Sequence, residues 1–226
     1  MVCAVDAEAA PIRELLGGGT RGELDGIPAR LLVTGMGKTN AAYALTVLLE
    51  RELVRVVISF GIAGAYVGSG LGVGSIALAS AAVYGDEGVQ TPTGWMGTEG
   101  IGIPLLPDPE QPRFNVFPLD GAWVTAAERS LAAAGVAVRT GPFVTVSCCA
   151  GTAELGAERA HRFGGLCEDM ESAALAHVCA HRDVPFLAVR GISNLVEDRD
   201  LHRWRIAEAA EAACGAVRVL VRSWEP

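Results

Sequence analysis

The stretch at residues 167–194, CEDMESAALAHVCAHRDVPFLAVRGISN, contains the clearest secondary-structure signals in the chain. Its first half is rich in alanine and other good helix formers, which predicts a helix over residues 170–182. The second half, residues 186–192, is a short and mostly apolar run, typical of a strand buried on both faces. The strand ends on Ser193 and Asn194, so we expect polar side chains at its tip.

Strand and helix signals alternate along the rest of the chain in the same way. Strands are predicted at MVCAV (1–5), ARLLVTGMG (29–37), VRVVISFGIAG (54–64), GSIALASAAVYG (74–85) and PFVTVSCC (142–149). Helices are predicted at KTNAAYALTVLLEREL (38–53), WVTAAERSLAAAG (123–135) and ELGAERAHRF (154–163). This order predicts an α/β fold whose sheet is covered on both faces. In such folds ligands gather at the ends of strands.

Residues 91–120 break this alternation. Six of the eleven prolines of the chain fall there, and the apolar residues show no clear period. We therefore expect an irregular excursion or lid at about 91–120, within a single domain of residues 1–226.

Composition narrows the functional classes. Half of the 226 residues are hydrophobic and 19% are charged, which favours a globular domain with a substantial core. The net charge of −8 lacks the basic footprint of a general nucleic-acid binder. No apolar run reaches membrane-spanning length, and the N-terminal stretch has no basic segment of a secretory signal. We expect neither nucleic acid nor membrane as a partner.

Cysteines and histidines give no sign of a metal site. The six cysteines are scattered and form no CxxC pair, and the four histidines lack paired metal-ligand spacing. Buried thiols in a reducing cytoplasm explain the cysteines best, so we expect no disulfide, no metal and no cofactor.

Two glycine-rich stretches fail as nucleotide motifs. GMGKTN at 35–40 lacks the first glycine of a Walker motif, since Leu32 occupies that position. Lys38 nevertheless opens a predicted helix, where backbone N–H groups can receive an anion or a hydroxyl. GSGLGVGS at 68–75 precedes a strand instead of following one, which indicates a flexible connection.

Three acidic or amide-bearing segments follow strands and form a candidate site. VDAE carries Asp6 and Glu8, CEDMES carries Glu171 beside Met170, and RGISN carries Asn194. Each has a plain structural alternative. Asp6 or Glu8 caps a helix that begins at the PIRELL stretch (11–16), acids in a first helical turn favour the helix dipole, and Asn194 closes a turn.

The order of these segments resembles the nucleoside phosphorylase and nucleosidase family. The resemblance spans about residues 2–222, and the section from MESAA through VPF to RGIS is its most specific part. It implies a three-layer α/β/α sandwich with a mixed central sheet. Family members are commonly dimers, so the resemblance also implies a homodimer or higher homo-oligomer.

Within the family, the ending RGISNLVEDRD…W is most similar to the futalosine-hydrolysing branch. The matching residues are Ser193, Asn194, Val196, Arg199, Asp200 and Trp204. Glu197 departs from the pattern, which has glycine there. The adenosine-type nucleosidases carry aspartate at the position of Asn194, and the trimeric purine phosphorylases carry asparagine.

The resemblance assigns roles in hydrolysis of an N-ribosidic bond. It implies that Glu8 activates water, that Glu171 binds the ribose hydroxyls and that Met170 packs under the sugar. Arg190, inside the strand, is expected to form a structural pair with an acid. Substrate contacts are also implied for Ile62, Ala63 and Gly64 in SFGIAGA, Ala150 and Gly151 in SCCAGT, and Ser193 and Arg199.

Chemistry supports two of these assignments. A carboxylate at Glu8 suits a water nucleophile but repels phosphate, which favours a hydrolase over a phosphorylase. The amide of Asn194 offers both a donor and an acceptor, which suits the 6-oxo group and protonated N7 of hypoxanthine. A cation is expected near the benzoate of futalosine, and Arg113 and Arg199 are candidates.

Three alternatives remain open at this point. They are a methylthioadenosine or S-adenosylhomocysteine nucleosidase, a purine nucleoside phosphorylase, and a binding module that has lost catalysis. The pair of Glu8 and Glu171 argues against the last, since a binder needs no acid to activate water.

Overall fold

The computed structural model describes residues 1–223. Its strands are β1 (Val2–Cys3), β2 (Arg21–Leu24), β3 (Ile27–Arg30), β4 (Leu32–Val33), β5 (Val57–Tyr66), β6 (Ile76–Tyr84), β7 (Gly88–Thr91), β8 (Gly94–Gly97), β9 (Val116–Pro118), β10 (Val138–Thr145), β11 (Cys167–Asp169) and β12 (Phe186–Val196). Its helices are α1 (Asp6–Leu15), α2 (Lys38–Arg51), α3 (Thr98–Ile101), α4 (Gly121–Ala133), α5 (Ala153–Phe163), α6 (Ser172–His181) and α7 (Ile206–Arg222). A short 3-10 helix occupies Leu201–Arg203.

A mixed sheet of eight strands forms the centre of the fold. Seven strands follow the order β11-β10-β6-β12-β5-β1-β4, and β9 pairs with β6 outside this path. The long strands β5 and β12 run parallel, whereas β12 and β6 run antiparallel. Strand β11 pairs with β10 and also with β5, so the sheet curves back on itself.

Helices cover both faces of this sheet. On one face α2 and α6 pack through residues such as Leu45 and Leu175. On the other face α1, α4 and α7 contribute Ile12, Leu131 and Val217 to a second buried cluster. Because strands such as β5 are buried on both faces, their sequences are mostly apolar. The predicted three-layer α/β/α sandwich with a mixed central sheet is confirmed.

Two local features differ from the expectation from sequence. Helix α1 begins at Asp6 with Val5 as its N-cap, so neither Asp6 nor Glu8 caps a helix starting at Pro11. The helix absorbs Pro11, and Glu8 points inward from its first turn. The predicted strand at 29–37 is divided between β3, which forms a hairpin with β2, and β4 at the sheet edge.

The excursion at 91–120 contains more regular structure than its sequence indicates. Strand β8 forms a hairpin with β7, and β9 joins the central sheet beside β6. Between them, residues 102–115 carry no helix or strand apart from a bridge between Leu106 and Arg113. Strand β9 forms by pairing with β6, which lies more than 30 residues earlier in the chain, and local periodicity does not reveal such pairing.

Helix α7 approaches β12 so closely that one position accepts only glycine. A Cβ atom added at Gly191 would lie 1.9 Å from the carbonyl oxygen of Ala209. This contact is between two backbones, so no side chain can move aside to relieve it. The absence of a Cβ at Gly191 therefore sets the distance between helix and sheet.

We expect Gly191→Ala to lower the free energy of unfolding by about 2–3 kcal/mol, since overpacking forces the backbones apart. The matched control is Gly215→Ala on the exposed side of α7, where an added Cβ meets nothing within 4 Å. That change is expected to raise the free energy of unfolding by about 0.5–1 kcal/mol. Urea unfolding of both variants checks this, and an unshifted midpoint for Gly191→Ala contradicts it.

Candidate active site

A buried ion pair supports the start of α6. The guanidinium of Arg190 lies 2.9 Å from Asp169 Oδ2, and both side chains are almost fully buried. Burial alone would lower the pKa of Arg190, but the carboxylates of Asp169, Glu171 and Glu8 outweigh it and raise that pKa. The structural pairing that the sequence analysis expected for Arg190 is confirmed.

Short polar side chains complete this network. Arg190 donates to the hydroxyls of Ser59 and Ser172 at 3.1 and 2.9 Å. Asp169 accepts from the Thr145 hydroxyl at 2.7 Å and from the hydroxyl of Ser172. A buried ion pair with its remaining donors and acceptors satisfied fixes local geometry, here the turn that presents Met170 and Glu171.

Glu171 leaves this turn as the N-cap residue of α6. Its Oε1 accepts a 2.8 Å hydrogen bond from the backbone N–H of Gly37, directly before α2. The anion expected at the start of that helix is thus a carboxylate of the chain itself. Burial first, and then the charge of Asp169, raise the pKa of Glu171 to about 7.

Glu8 is held by three backbone donors. Its Oε2 accepts from the N–H groups of Ala4 and Val5 at 3.0 and 3.3 Å, and its Oε1 accepts from Ile62 at 2.9 Å. The side chain is only 6% exposed. Gly61 makes this position possible, because an added Cβ there would lie 2.4 Å from Glu8 Oε1.

Glu8 and Glu171 line the same narrow, tightly packed cavity. Arg190 is the one cation among the described residues that line it, and Asp169 already engages that guanidinium. The remaining lining residues are Cys3, Ala4, Thr34, Ser59, Phe60 and Leu175. The cavity therefore holds two carboxylates and no uncompensated positive charge.

A β-bulge positions Asn194. The pairing of β12 with β5 shifts between Ile192 and Asn194, so Ser193 is an extra residue opposite β5. A bulge re-aims the side chains that follow it. The Ser193 hydroxyl lies 2.8 Å from Asn194 Oδ1, and Asn194 Nδ2 donates to the Leu195 carbonyl at 3.0 Å.

These two contacts orient the amide and leave part of it free. One N–H of Nδ2 and one lone pair of Oδ1 remain for a ligand. Gly64 lies beneath the amide, and an added Cβ there would come 3.1 Å from Asn194 Nδ2. Ser193 is buried and also contacts the Ala63 carbonyl at 3.3 Å.

Asn194 lines a second cavity, of about 50 Å³. Most of its lining comes from the segment after Asn194. The other lining residues are Val73, Ala150, Leu195, Glu197, Arg199, Asp200, Arg203 and Trp204. The Arg199 guanidinium lies 4.9 Å from the centre of the Trp204 ring. Glu197, which departs from the family pattern, forms an ion pair with Arg203.

Residues 62–64 of β5 connect the two cavities. The N–H of Ile62 binds Glu8, the Ala63 carbonyl contacts Ser193, and Gly64 faces Asn194. Ile62 and Gly64 are separated by about 7 Å along the strand. Glu8, the candidate for activating water, and Asn194, the candidate for binding the base, thus lie at opposite ends of one short backbone segment.

Other candidates are less engaged. Met170 is half-buried beside Glu171, and Gly151 is exposed in the loop after β10. Arg113 lines neither of the two cavities and lies 5.9 Å from the Phe117 ring. Of the two cations considered for a carboxylate ligand, Arg199 alone reaches the cavity of Asn194.

The CEDMES segment also contains Glu168, to which the sequence assigned no role of its own. Its buried carboxylate accepts from the Ala150 N–H at 2.7 Å, from Arg159 at 3.1 Å and from the Tyr66 hydroxyl at 3.3 Å. The CEDMES segment hinted at it, but no local pattern distinguishes a carboxylate that binds a loop from one that binds substrate.

Within residues 1–223, no group of three or more His, Cys, Asp or Glu side chains is arranged to hold a metal ion. The six cysteines are free thiols. No helix in that part of the chain is long and apolar enough to cross a membrane.

Comparison with known proteins agrees with this architecture. The phosphorylase superfamily matches residues 6–222. The futalosine hydrolase of Thermus thermophilus is 36% identical over 190 residues, covering 84% of this chain and 80% of that protein. The 5′-methylthioadenosine/S-adenosylhomocysteine nucleosidase of Mycobacterium bovis is 29% identical over 249 residues, covering 98% of this chain and 94% of that protein.

A solved structure shows the same fold over nearly the whole chain. The 5′-methylthioadenosine/S-adenosylhomocysteine nucleosidase of Neisseria meningitidis, in complex with methylthio-immucillin-A, superimposes with a TM-score of 0.84 at 26% identity. The match covers 99% of this chain and 97% of that one. The chain therefore belongs to the phosphorylase superfamily, as an enzyme of the nucleosidase, or N-glycosidase, type.

Proposed function

We propose that this chain is an N-ribosyl hydrolase that cleaves futalosine to hypoxanthine and dehypoxanthine futalosine, a reaction of menaquinone biosynthesis. It acts in the cytoplasm as a single domain of residues 1–226, as a homodimer or higher homo-oligomer. The observation that carries the proposal is the cavity shared by Glu8 and Glu171, with the amide of Asn194 at the other end of residues 62–64.

Glu8 activates the water in this proposal. Its three backbone donors hold the carboxylate in one orientation and leave lone-pair capacity for a water molecule. By analogy with glycoside hydrolysis, the sugar develops oxocarbenium character while the carboxylate takes the proton of the attacking water. The positive charge that grows on the sugar is stabilised by the two carboxylates nearby.

Glu171 holds the ribose. Gly37 occupies one lone pair of its Oε1, so the other carboxylate oxygen is free to accept from vicinal hydroxyls. The Asp169–Arg190 pair fixes the turn from which Glu171 projects, and Met170 offers an adaptable apolar surface to the sugar. Positioning of this kind supplies a large part of catalysis when two reactants must meet.

Asn194 engages the leaving base, with Ser193 fixing its orientation. The free N–H suits the 6-oxo group of hypoxanthine, and the free lone pair accepts from a protonated N7. Ala150, Gly151 and residues 62–64 contribute backbone contacts around the base and sugar. Arg199 is the cation proposed for the carboxylate end of futalosine, on the ground that it lines the cavity of Asn194.

The charges of the cavity favour water over phosphate as the nucleophile. A phosphorylase must compensate a dianion, and it uses cations to do so. Here Arg190 is committed to Asp169, and Glu8 would repel phosphate at short range.

Cleavage of methylthioadenosine or S-adenosylhomocysteine is the second candidate. The Mycobacterium bovis nucleosidase, which is named for these substrates, matches 98% of this chain. The amide of Asn194 argues against these substrates. The 6-amino group of adenine donates hydrogen bonds, and a carboxylate accepts them better than an amide does.

In phosphate-free buffer the protein is expected to release hypoxanthine from futalosine. Release of the base from methylthioadenosine or inosine is expected to be slower. Glu8→Gln is expected to lower kcat by about 10³-fold, since the amide cannot take a proton from water. Chromatography of the free base measures both. The control Glu14→Gln removes an exposed carboxylate of α1 and should leave kcat unchanged. Release from methylthioadenosine alone, or only with phosphate, contradicts the proposal.

Asn194→Asp is expected to lower kcat/KM for futalosine by roughly 10- to 100-fold, because the donor to the 6-oxo group is lost. The same variant should lose less with the 6-amino analogue of futalosine, whose amino group a carboxylate accepts. Asn194→Ala is the control and should lower kcat/KM for both substrates to the same extent. Equal losses of Asn194→Asp on the two substrates would show that residue 194 does not select the base.

The pH dependence of kcat/KM is expected to report Glu171. Its pKa is raised to about 7 in the free enzyme, and the ionised form accepts from the ribose hydroxyls. Below pH 7 the carboxyl is protonated, so kcat/KM should fall about tenfold per pH unit and level off above pH 8. Glu171→Gln should be less active and lack this limb. A wild-type profile that is flat from pH 6 to 8 rules this role out.

A further inference from the structure

The loop after β10, residues 147–153, is held by carboxylates from three distant elements. Every third backbone N–H of the loop donates to one of them. The pairs are Ser147 with Asp86 Oδ2 at 2.6 Å, Ala150 with Glu168 Oε1 at 2.7 Å, and Ala153 with Asp198 Oδ1 at 3.1 Å. Ala150, at the middle of this loop, lines the cavity of Asn194. The shape of the loop therefore affects the proposed base site directly.

The first of these carboxylates is paired with Lys38. The Lys38 ammonium lies 2.6 Å from Asp86 Oδ1 and 2.7 Å from Glu87 Oε1. Asp86 thus uses one oxygen for the cation and the other for the loop. Lys38 is 15% exposed and Asp86 25%, so water screens this pair less than a fully exposed one. Burial opposes the charge of Lys38, but both acids outweigh it and raise the pKa of Lys38.

Lys38 also adjoins the proposed ribose site. It is the first residue of α2, and the preceding N–H, that of Gly37, binds the carboxylate of Glu171. One chain of contacts therefore runs from the ribose side to the base side. It passes from Glu171 to Gly37, along the backbone to Lys38, across the ion pair to Asp86, and into Ser147.

We infer that Lys38 and Asp86 are positioning residues that fix the base-facing loop 147–153 relative to the ribose-binding carboxylate. Neither touches the substrate; both act through Ser147 and Ala150 on the base and through Gly37 on the ribose. This inference rests on the proposed function of the site.

The direction of the effect follows from what the loop does. Backbone contacts to the base exist in the bound substrate as well as in the transition state. Loss of such uniform binding raises KM and leaves kcat nearly unchanged. A purely structural ion pair would instead change stability without altering KM.

The chain carries its own probe of loop order in Cys148 and Cys149. Cys148 is exposed, whereas Cys149 is half-buried and its pKa is raised to about 12, first by burial and then by Glu168. A thiol with so high a pKa alkylates slowly at pH 8, and opening of the loop would release it. Cys148 serves as the internal reference for reagent access.

The experiment compares Asp86→Asn and Lys38→Met with the control Asp25→Asn. Asp25 also pairs with a cation, Arg222 at 2.7 Å, and its 23% exposure matches that of Asp86. Its partners lie on α7, away from the loop. Iodoacetamide labelling of Cys149 is followed by mass spectrometry, and KM, kcat and thermal stability are measured with futalosine.

We expect Asp86→Asn and Lys38→Met to raise both the Cys149 labelling rate and KM about tenfold, with kcat within about twofold of wild type. Asp25→Asn should change neither, even where it lowers thermal stability equally. A Cys149 labelling rate and a KM equal to those of Asp25→Asn would overturn the inference. Faster labelling with an unchanged KM, or a raised KM with unchanged labelling, would also overturn it.

Failure of the proposed function is distinguishable from these outcomes. A wild-type protein that releases no base from futalosine overturns that function by itself. The labelling comparison then decides alone whether Lys38 and Asp86 order the loop.

Discussion

The buried ion pair between Asp169 and Arg190 is the constraint on which the rest of the site depends. Two charges removed from water are tolerated only when their remaining hydrogen bonds are made, and Ser59, Thr145 and Ser172 make them. The pair joins the end of β11 to the middle of β12, across the core. Glu171 lies in the chain between these two strands, so the direction of its side chain follows from the position of the ion pair.

The site gathers negative charge and neutralises little of it. Glu8 is stabilised by backbone dipoles, Glu171 by one N–H and by partial protonation near neutral pH. Backbone N–H groups stabilise the carboxylates without adding a positive charge. The cavity therefore attracts a cationic sugar and repels an anionic nucleophile. The chemistry that the cavity supports is therefore set by how its acids are held as much as by their number.

The sequence predicted most of the fold and named the candidate site residues, but it did not reveal how those side chains are held. Alternating apolar segments were sufficient to predict an α/β fold covered on both faces, the acids after the strands pointed to Glu8 and Glu171, and the family resemblance implied a structural pair for Arg190. The bulge at Ser193 depends on pairing with the distant strand β5, and the loop contact of Asp86 depends on Ser147, 61 residues away in sequence. Such partners leave no mark on local periodicity.

The bulge at Ser193 has a consequence for how this scaffold can diverge. The hydrogen bonds described for the Asn194 side chain go to its sequence neighbours Ser193 and Leu195, whereas Glu8 is held by the backbones of residues 4, 5 and 62. A change at position 194 alters the edge offered to a leaving group and leaves every bond to Glu8 intact. Under the proposed mechanism, base selectivity and hydrolytic chemistry thus rest on separate parts of one sheet, and a lineage can exchange the first by a single codon change while inheriting the second.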